Sequence, residues 1–411
     1  MSDVHEINDL EALRAYRWAW QNLLDQTPGA SFFQSLDWLE VYWRHFGAGQ
    51  KLRVLAVLSG GRLVGILPLA VCRERTRVGT VRVLTYPLHD WGSFYGPIGP
   101  DPGETLSEGL EYVARKRRDW DVLELRWVDA GGLDRGETKQ AMQAAGLRTY
   151  ETVWDRTAVV DLAGTWDDYL ASRPAKWRNN FRRQERKLQE QGQLGACEKV
   201  GTGSESMCEE HRKTASGEVH VPIVSQALSY LRYRPRGETR GEADPRWDLY
   251  DACEALAQRS WQGTSTTGTT LSHESIRAYL RETHAVAARA GAVDLNLLLL
   301  GGRPAAFAYN YHWGGRVCGV RAGYDAGLSR RGAGGLLLAY AIRDSFQRGD
   351  RLYDLGVGYL RGKRYLATRI VPIHRYSHFH PKAVRAQLLR VKRWVQERLQ
   401  RRTLEALALN Q

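Results

Sequence analysis

The chain has no long hydrophobic run. Its longest apolar segment, around residues 295–300, has the length of a strand, whereas a membrane-spanning helix needs about 20 consecutive apolar residues. The N-terminal segment is charged from Asp3 onward and contains no apolar stretch, so we expect no secretory signal. The five cysteines lie far apart with no C-x-x-C pair, which is typical of free thiols in a reducing compartment. We therefore expect a cytoplasmic protein with no stable membrane insertion.

Several motifs with well-defined chemistry are also missing. The sequence contains no G-x-x-x-x-G-K-[ST] phosphate loop, no H-E-x-x-H zinc motif and no G-x-S-x-G nucleophile elbow. No G-x-G-x-x-G follows a chain-opening strand, which disfavours a dinucleotide-binding domain. Three histidines gather at positions 374, 378 and 380 without a cluster of cysteines or carboxylates beside them, so we expect them to pack and expect no metal site.

Acidic residues are fewer than basic ones: the chain has 46 Asp and Glu and 59 Lys and Arg, which gives a net charge of +13. Such an excess indicates an acidic or phosphorylated partner or the anionic face of a membrane. A coding bias toward arginine would give the same excess without functional meaning, and charge alone does not separate these interpretations. With 411 residues, 43% of them hydrophobic, and 14 Trp, the chain is long enough for two domains with sizeable cores.

Two parts of the chain share one layout. Each has a strand, a Gly-Gly hairpin turn and a second strand, at residues 58–69 and 300–309. In the first half a strand at 80–86, a helix at 104–118 and a strand at 121–127 follow. In the second half the matching elements are a strand at 316–324, a helix at 335–347 and a strand at 351–356. This order predicts two copies of one α/β unit, with Glu124 opposite Asp354.

Only the second copy has a glycine-rich helix entry, Gly332-Ala-Gly-Gly335, with Arg330 and Arg331 directly before it. Bare backbone N–H groups and the helix dipole favour an anion at such a place, so the entry predicts a phosphate site. The first copy has residues 99–103 (GPDPG) instead, where prolines remove donors and an aspartate repels phosphate. We therefore expect the first copy to form a wall for the acceptor and not a donor site.

Two further segments are basic and helical in pattern. At residues 173–188, Trp177, Phe181 and Leu188 recur at helical spacing and are expected to face the core. The arginines between them, Arg178 among them, form either a solvated face or an anion-binding wall beside the cleft. At residues 381–409 we predict a C-terminal basic helix whose apolar side (388, 391, 395 and 399) serves as a packing face in preference to a membrane-binding one.

Taken together, these features resemble the GNAT acyltransferases, and among them the two-domain CelD-like and FemAB-like proteins with duplicated GNAT folds. The resemblance spans roughly residues 30–380. It is carried by residues 33–38 (FQSLDW), the basic helix at 176–188, residues 260–263 (SWQG), residues 330–337, and residues 354–358 (DLGVG) followed by Lys363.

The resemblance implies an α/β (α+β) fold of two tandem GNAT-like units, each a mixed central sheet flanked by helices, with a C-terminal helix. We expect the first unit at residues 1–160, the second at 161–380 with a polar insertion at 235–247, and the basic helix at 381–411. In the usual GNAT pattern, Gln/Arg-x-x-Gly-x-Gly/Ala, Ser329 stands here at the Gln/Arg position.

For the donor, the resemblance implies acyl-CoA, with acetyl-CoA as the typical case. The departure at Ser329 leaves an acyl carrier protein or an aminoacyl-tRNA as other donors. The residues expected to hold the donor's pyrophosphate are Arg330, Arg331, Gly332, Ala333, Gly334 and Gly335. The extended arm of the donor is expected along the strand that ends at Tyr324.

Four side chains are candidates for the chemistry. Asp325 and Asp354 are candidate general bases, if partial burial raises a carboxyl pKa, and a purely structural role is the other interpretation of Asp354. Family resemblance suggests Tyr365, or Tyr359, as the acid that protonates the departing thiolate. It also suggests that Lys363 neutralises developing charge or binds substrate. His89 and Asp90 either contact the acceptor or cap a turn.

These expectations define an acyltransferase of the N-acetyltransferase type that moves an acyl group from acyl-CoA to an amine of a sugar or of a polysaccharide or cell-envelope precursor. Two alternatives remain open. One is an aminoacyl-tRNA-dependent, FemAB-like ligase acting on a peptidoglycan precursor, which the positive charge and the basic helix favour. The other is a non-catalytic binding protein that retains the fold.

Overall fold

A computed structural model describes residues 2–88, 92, 94–129, 132–199, 217–220, 228–235, 244–266, 270–328 and 332–408. The strands are β1 Ser2–Ile7, β2 Lys51–Ser59, β3 Arg62–Thr76, β4 Gly79–Thr85, β5 Val122–Val128, β6 Tyr150–Asp161, β7 Gly217–His220, β8 Leu228–Pro235, β9 Val293–Leu300, β10 Arg303–Trp313, β11 Arg316–Tyr324, β12 Leu352–Val357 and β13 Arg369–Phe379. The helices are α1 Leu10–Arg14, α2 Arg17–Gln26, α3 Leu36–Phe46, α4 Pro102–Arg115, α5 Glu137–Ala144, α6 Trp166–Ser172, α7 Ala175–Lys199, α8 Trp247–Arg259, α9 Glu274–Arg289, α10 Ala333–Gln347, α11 Leu360–Lys363 and α12 Val384–Ala408.

The predicted duplication is confirmed by the sheet. Strands β2, β3, β4 and β5 run in sequence order on one side, with α4 between β4 and β5. Strands β9, β10, β11 and β12 repeat this arrangement on the other side, with α10 between β11 and β12. In each copy the first three strands are antiparallel and the last two are parallel. The fold is thus a mixed α/β fold of two tandem units.

Glycine pairs close the equivalent hairpins of the two copies. Gly60 and Gly61 have φ angles of 57° and 80°, and Gly301 and Gly302 have φ angles of 54° and 73°. A two-residue hairpin turn whose twist matches its strands requires positive φ at both positions, which glycine adopts without strain. This local requirement explains why the hairpins could be recognised in the sequence.

The two copies share one sheet by exchanging their final strands. The order is β1-β2-β3-β4-β5-β13-β6-β12-β11-β10-β9-β8-β7. The last strand of the chain, β13, pairs with β5 of the first copy, and β6, which precedes the second copy, pairs with β12. β13 and β6 also pair with each other along nine residue pairs. The predicted boundary at residue 160 therefore divides the sequence but not the sheet.

Two hydrophobic clusters pack on the second unit. One joins α10 to α6 and α7 and includes Leu336, Tyr353 and the predicted core residues Phe181 and Leu188. The other continues from the first unit to α8 and α9. Because neighbouring residues of a strand face opposite sides, Tyr353 points to the α10 side and Asp354 points away from it.

Candidate functional site

A gap opens between β11 and β12, the parallel strands of the second unit. They are paired only at three positions, from Arg316 and Leu352 to Cys318 and Asp354, and then separate. A bulge in β11 at Val320, opposite Tyr309 and Asn310, accompanies the separation. Past this point each strand has an unpaired edge facing the other. An extended ligand can enter such a gap and hydrogen-bond to both edges.

Asp354 lies at the closed end of the gap. Its Oδ1 accepts hydrogen bonds from the Thr157 hydroxyl and from the Gly356 N–H at 2.8 Å, while its Oδ2 has no hydrogen-bond partner among the described residues. Burial raises the pKa of Asp354, and the bonds from Thr157 and Gly356 oppose the rise. The side chain is 1% exposed, so a substrate does not reach it in this conformation.

Lys363 projects from α11 toward the same place and is partly exposed. Its Nζ donates to the carbonyl oxygens of Gly356 and Val357 at 2.8 and 2.9 Å. Burial lowers the pKa of Lys363 to about 8, although the Asp354 carboxylate acts to raise it. The ammonium has three N–H donors, and these two bonds leave one for a ligand.

Gly356 makes this arrangement possible. Its φ is 77°, a left-handed conformation that side chains rarely allow, and a Cβ there would lie 2.6 Å from the Gly319 carbonyl oxygen. Gly319 is constrained in turn, since its own Cβ would lie 2.8 Å from the Asp354 carbonyl oxygen. The two glycines let β11 and β12 approach closely at the point where they begin to separate.

The N-terminus of α10 faces the open end of this region. Its N-cap, Gly332, has φ 108° and supplies no side-chain cap, and no acidic residue lies in the first turn. A Cβ at Gly335 would meet no atom of the described residues within 4 Å, which leaves room for a ligand beside this position as far as those residues are concerned. Gly334 contacts Tyr324 of β11, because a Cβ there would lie 3.2 Å from the tyrosine ring. Unpaired N–H groups at such a terminus favour an anion.

The basic helix α7 flanks this terminus. Gln184 lies against Gly332, and Glu185 accepts a hydrogen bond from the Tyr340 hydroxyl of α10 at 2.5 Å. Phe181 stacks on Trp177, as the helical spacing predicted, which turns the intervening arginines outward. The exposed cations of this face are Arg182, Arg183, Arg186 and Lys187. This exposure fits both interpretations of the helix, a solvated basic face and an anion-binding wall.

A groove of about 680 Å³ runs beside the N-terminal part of α7. The lining residues are Pro174, Lys176, Trp177, Asn179, Asn180, Arg183 and Tyr365. Tyr365 is two residues beyond Lys363, and its hydroxyl accepts a hydrogen bond from Arg364 at 2.8 Å. That bond and the charge of Arg364 lower the pKa of Tyr365. The groove therefore combines cations with aromatic faces next to the lysine.

The first unit has a cavity of about 460 Å³ at the equivalent position, beyond the last β4–β5 pairs. Its lining includes four carboxylates, Asp101, Asp129, Asp134 and Glu137, and one cation, Arg135. One Asp129 oxygen and the Tyr86 hydroxyl lack hydrogen-bond partners in the described part of the chain. Burial raises the pKa of Asp129. Burial also raises the pKa of Glu137, and the neighbouring charges of Asp134 and Asp101 raise it further. Such a lining attracts a cation.

Helix α4 differs from α10 at its start. Its N-cap, Asp101, accepts a hydrogen bond from the Glu104 N–H at 2.9 Å, and Pro102 begins the helix. The carboxylate occupies the place where a phosphate would bind, and proline supplies no N–H. That the first copy holds no donor phosphate stays a prediction.

Arg316 contacts two residues that line the first-unit cavity. Its guanidinium donates to the Gly29 carbonyl oxygen at 3.1 Å and lies 5.6 Å from the centre of the Phe94 ring, and both residues line the first-unit cavity. Its charge also acts on Asp129 and on Asp354, since it lowers the pKa of each against the effect of burial. Sequence patterns did not single out Arg316, because an arginine at the start of a strand has no distinguishing local pattern.

The remaining predicted residues are scattered. Asp325 closes the turn after β11: its Oδ2 pairs with Arg259 at 2.9 Å and its Oδ1 accepts from the N–H groups of Gly327 and Leu328. Burial acts to raise the pKa of Asp325, but these partners lower it, which suits a structural carboxylate better than a base. Arg178 makes a long hydrogen bond of 3.5 Å to the Ala171 carbonyl oxygen. His89, Asp90, Ser329, Arg330 and Arg331 lie outside the described residues.

His374 and His378 of β13 make polar contacts with residues at and just before the start of β6. His374 lies 2.9 Å from Glu151, and His378 lies 3.1 Å from the Arg148 carbonyl oxygen. Within the described ranges, no group of three or more metal-ligating side chains occurs.

Comparison with known families decides the fold family. The family model for the acetyltransferase (GNAT) domain matches residues 226–365, a segment that holds the strand gap, α10 and Lys363. The matched segment has a GNAT-superfamily fold. No curated protein matches its sequence.

Several solved structures are similar to this chain. FemX is 11% identical, with 92% of this chain and 97% of FemX covered and a TM-score of 0.46. A tandem GNAT protein from the clavulanic acid biosynthesis pathway is 13% identical, with 92% and 100% covered and a TM-score of 0.45. The C-terminal domain of a putative lysylphosphatidylglycerol synthetase from Agrobacterium fabrum is 12% identical, with 92% and 95% covered and a TM-score of 0.46.

Proposed function

We propose that the protein transfers an acyl group from acyl-CoA to a primary amine of a sugar or of a polysaccharide or cell-envelope precursor. The observation that carries the proposal is the position of Lys363. This partly exposed lysine lies at the gap between β11 and β12, over the buried Asp354, in the same unit as a helix N-terminus open to phosphate. The matched GNAT domain supports acyl transfer as the reaction class.

The donor occupies the α10 side of the gap. Its pyrophosphate binds the N–H groups of Gly334 and Gly335, and the exposed arginines of α7, with Arg330 and Arg331 before the helix, add attraction for the phosphates. The arm of the donor then runs along the unpaired edge of β11 toward Lys363. No residue in the first turn of α10 carries a negative charge that would oppose this.

Lys363 stabilises the charge that develops during transfer. As the neutral amine attacks the thioester carbonyl, the free N–H of the Lys363 ammonium hydrogen-bonds to the carbonyl oxygen. The acceptor's ammonium gives its first proton to solvent water before the attack. A C–N bond then forms, the C–S bond breaks, and a proton of the attacking amine ends on the departing sulfur, with the acidified hydroxyl of Tyr365 as relay. Asp354 is too buried to touch the substrate, so it acts as a positioning residue that keeps Lys363 charged.

The acceptor occupies the acidic cavity of the first unit. An amine acceptor is an ammonium ion in water, and Asp101, Asp129, Asp134 and Glu137 attract that charge. The unpartnered Tyr86 hydroxyl and Asp129 oxygen offer hydrogen-bonding groups to neighbouring hydroxyls or N–H groups. Arg316, which touches both this cavity and the surroundings of Asp354, marks the route between acceptor and donor.

Replacement of Lys363 tests the proposal. With acetyl-CoA and a panel of amino sugars, thiol release should be measurable for the native chain, and Lys363→Ala should lower kcat by about 100-fold because it removes one oxyanion donor. Lys363→Arg should retain part of the activity. Lys139→Ala, a change of the same type at an exposed site in the first unit, should have no effect.

The pH profile separates a catalytic cation from a structural one. The native rate should fall as pH rises through about 8, where Lys363 loses its charge. Asp354→Asn should move this limb to lower pH, because the carboxylate raises the pKa of the lysine. Full activity in Lys363→Ala would refute the assignment, and native protein that neither binds CoA nor releases thiol would refute acyl-CoA as the donor.

One observation favours a second donor, an aminoacyl-tRNA. The groove beside α7 pairs Trp177 and Tyr365 with Lys176 and Arg183, and aromatic faces with cations are the usual means of holding unpaired nucleotides. Under this alternative, tRNA binds with a strong dependence on salt, and Trp177→Ala weakens it. Binding of CoA at moderate salt without any binding of tRNA would remove the alternative.

A further inference from the structure

The C-terminal helix α12 exposes an apolar stripe along its outer side. The exposed fractions are 72% for Val384, 51% for Leu388, 51% for Val391 and 41% for Val395. Their spacing of four, three and four residues places them on one face of the helix. Trp394, 51% exposed, lies at the border of the stripe. The prediction that this side packs against the protein is therefore wrong for these residues.

The opposite side of α12 is the one that packs. Ala386 and Leu389 are buried against β4, β5 and the end of β13. Arg393 binds the buried Glu124, and Arg390 donates to the Tyr150 hydroxyl at 2.8 Å. These contacts fix the rotation of the helix about its axis. The apolar stripe consequently faces outward and is held there.

Positive charge surrounds the stripe. Between residues 382 and 399 the chain carries six cations and a single acid, Glu397. Arg390 and Arg393 make the packing contacts described above, and helical spacing places Lys392 and Arg398 on the two flanks of the stripe. Arg398 lies 4.0 Å from the centre of the Trp394 ring. With a net charge of +13, the whole chain adds to the positive potential of this surface.

An apolar stripe bordered by cations and a tryptophan fits the interface of an anionic bilayer. The apolar side chains enter the boundary between headgroups and acyl chains, while lysine and arginine pair with anionic headgroups. Within the described residues, no helix is long and apolar enough to span a membrane. We propose that α12 docks the protein on anionic membrane surfaces by lying in the headgroup plane. This proposal is independent of the proposed acyl transfer.

Vesicle binding tests the proposal. The full-length protein should co-sediment with phosphatidylcholine vesicles that contain about 30 mol % phosphatidylglycerol, bind pure phosphatidylcholine at least about tenfold more weakly, and dissociate as salt is raised. Val391→Asp with Val395→Asp should lower binding to the anionic vesicles by about tenfold or more, since it places two charges in the apolar stripe. Because both positions are exposed, the melting temperature should not fall.

A matched variant isolates the stripe from the overall charge. Gln396→Asp with Lys382→Asn adds negative charge to the same helix region outside the stripe, and it should bind more tightly than the double valine variant. Equal loss in the two variants, or no binding of the native protein to anionic vesicles, would overturn the proposal. The proposal would also be overturned if the native protein bound no vesicles and formed a dimer that the two valine changes dissociate. The stripe would then be the contact surface for a second copy of the chain.

Discussion

Asp354 and Glu124 hold equivalent strand positions but have opposite surroundings. Glu124 is buried and accepts hydrogen bonds from Arg126 at 2.5 Å, from Ser377 at 3.1 Å and from Arg393. Asp354 has one bonded oxygen and one unpartnered oxygen among the described residues, and the charges of Arg316 and Lys363 act on it without an ion-pair contact among the described residues. The duplicated position is thus a locked ion pair in one unit and part of the proposed catalytic machinery in the other.

Glu124→Gln should destabilise the protein in a pH-dependent manner. Burial acts to raise the pKa of Glu124, but Arg126 and Arg393 outweigh it and lower the pKa from 4.5 to about 2. That difference corresponds to about 3 kcal/mol of stability, which is present above pH 4.5 and is lost as pH falls through about 2. Chemical unfolding at pH 7 should show a loss of this order in the variant.

The same experiment at low pH supplies the control. The difference in the free energy of unfolding between native protein and Glu124→Gln should shrink as pH falls below 4.5, because protonation neutralises the native side chain as well. A difference that stays constant between pH 7 and pH 3 would show that lost packing, and not the charge, accounts for the effect.

At the scale of elements, α10 is fixed to the sheet by a buried arginine. Arg232 of β8 donates to both carboxylate oxygens of Asp294 at 2.9 and 2.6 Å, and to Asp344 and Ser345 of α10 at 2.9 Å each. Its guanidinium is fully buried, with its charge balanced by these carboxylates. These contacts fix the C-terminal end of α10 to the sheet, and the helix itself connects this fixed end to the N-terminus beside the strand gap.

Gly335→Asp should separate donor binding from stability. The site is exposed and helical, so replacing glycine removes conformational freedom of the unfolded chain, and a carboxylate in the first turn suits the helix dipole. Stability should stay equal or rise. The same carboxylate would repel the donor's pyrophosphate, so KM for acyl-CoA should increase by about tenfold, a change worth about 1.4 kcal/mol.

Gly335→Asn is the matched control for that prediction, because it has the same shape without the charge. It should leave KM for acyl-CoA within about threefold of the native value. If the KM for acyl-CoA rose equally in both variants, the volume of the side chain and not its charge would be the cause. An unchanged KM in Gly335→Asp would mean that the phosphate binds elsewhere.

Sequence patterns predicted the elements better than their partners. The Gly-Gly hairpins and the glycine entry of α10 were recognisable because their backbone angles demand glycine locally. Asp354 was identified as a candidate, but its hydrogen-bond partner Thr157 lies 197 positions earlier in the chain, and no local pattern connects the two. The exposed stripe of α12 was misread because periodicity shows that apolar residues share a face but not whether that face is covered.

At the scale of the whole molecule, the exchanged strands make the two units interdependent. β13 is added last in the chain, yet it lies between β5 of the first unit and β6. Pairings of such long sequence separation leave no trace in local composition, so the order of the central strands was beyond prediction from a single sequence. Without β13, the edges of β5 and β6 would expose unpaired N–H and C=O groups.

The native protein should consequently unfold in one transition despite its two units. Denaturation followed by near-ultraviolet circular dichroism and by hydrogen exchange of β3 and β10 should give coincident midpoints, since loss of β13 removes the partner of both β5 and β6. A chain that ends at residue 368, and so keeps every strand except β13, should show no cooperative transition. Two separate transitions in the native protein, or cooperative unfolding of the shortened chain, would mean that each unit has a sufficient core of its own and that the shared sheet contributes little to stability.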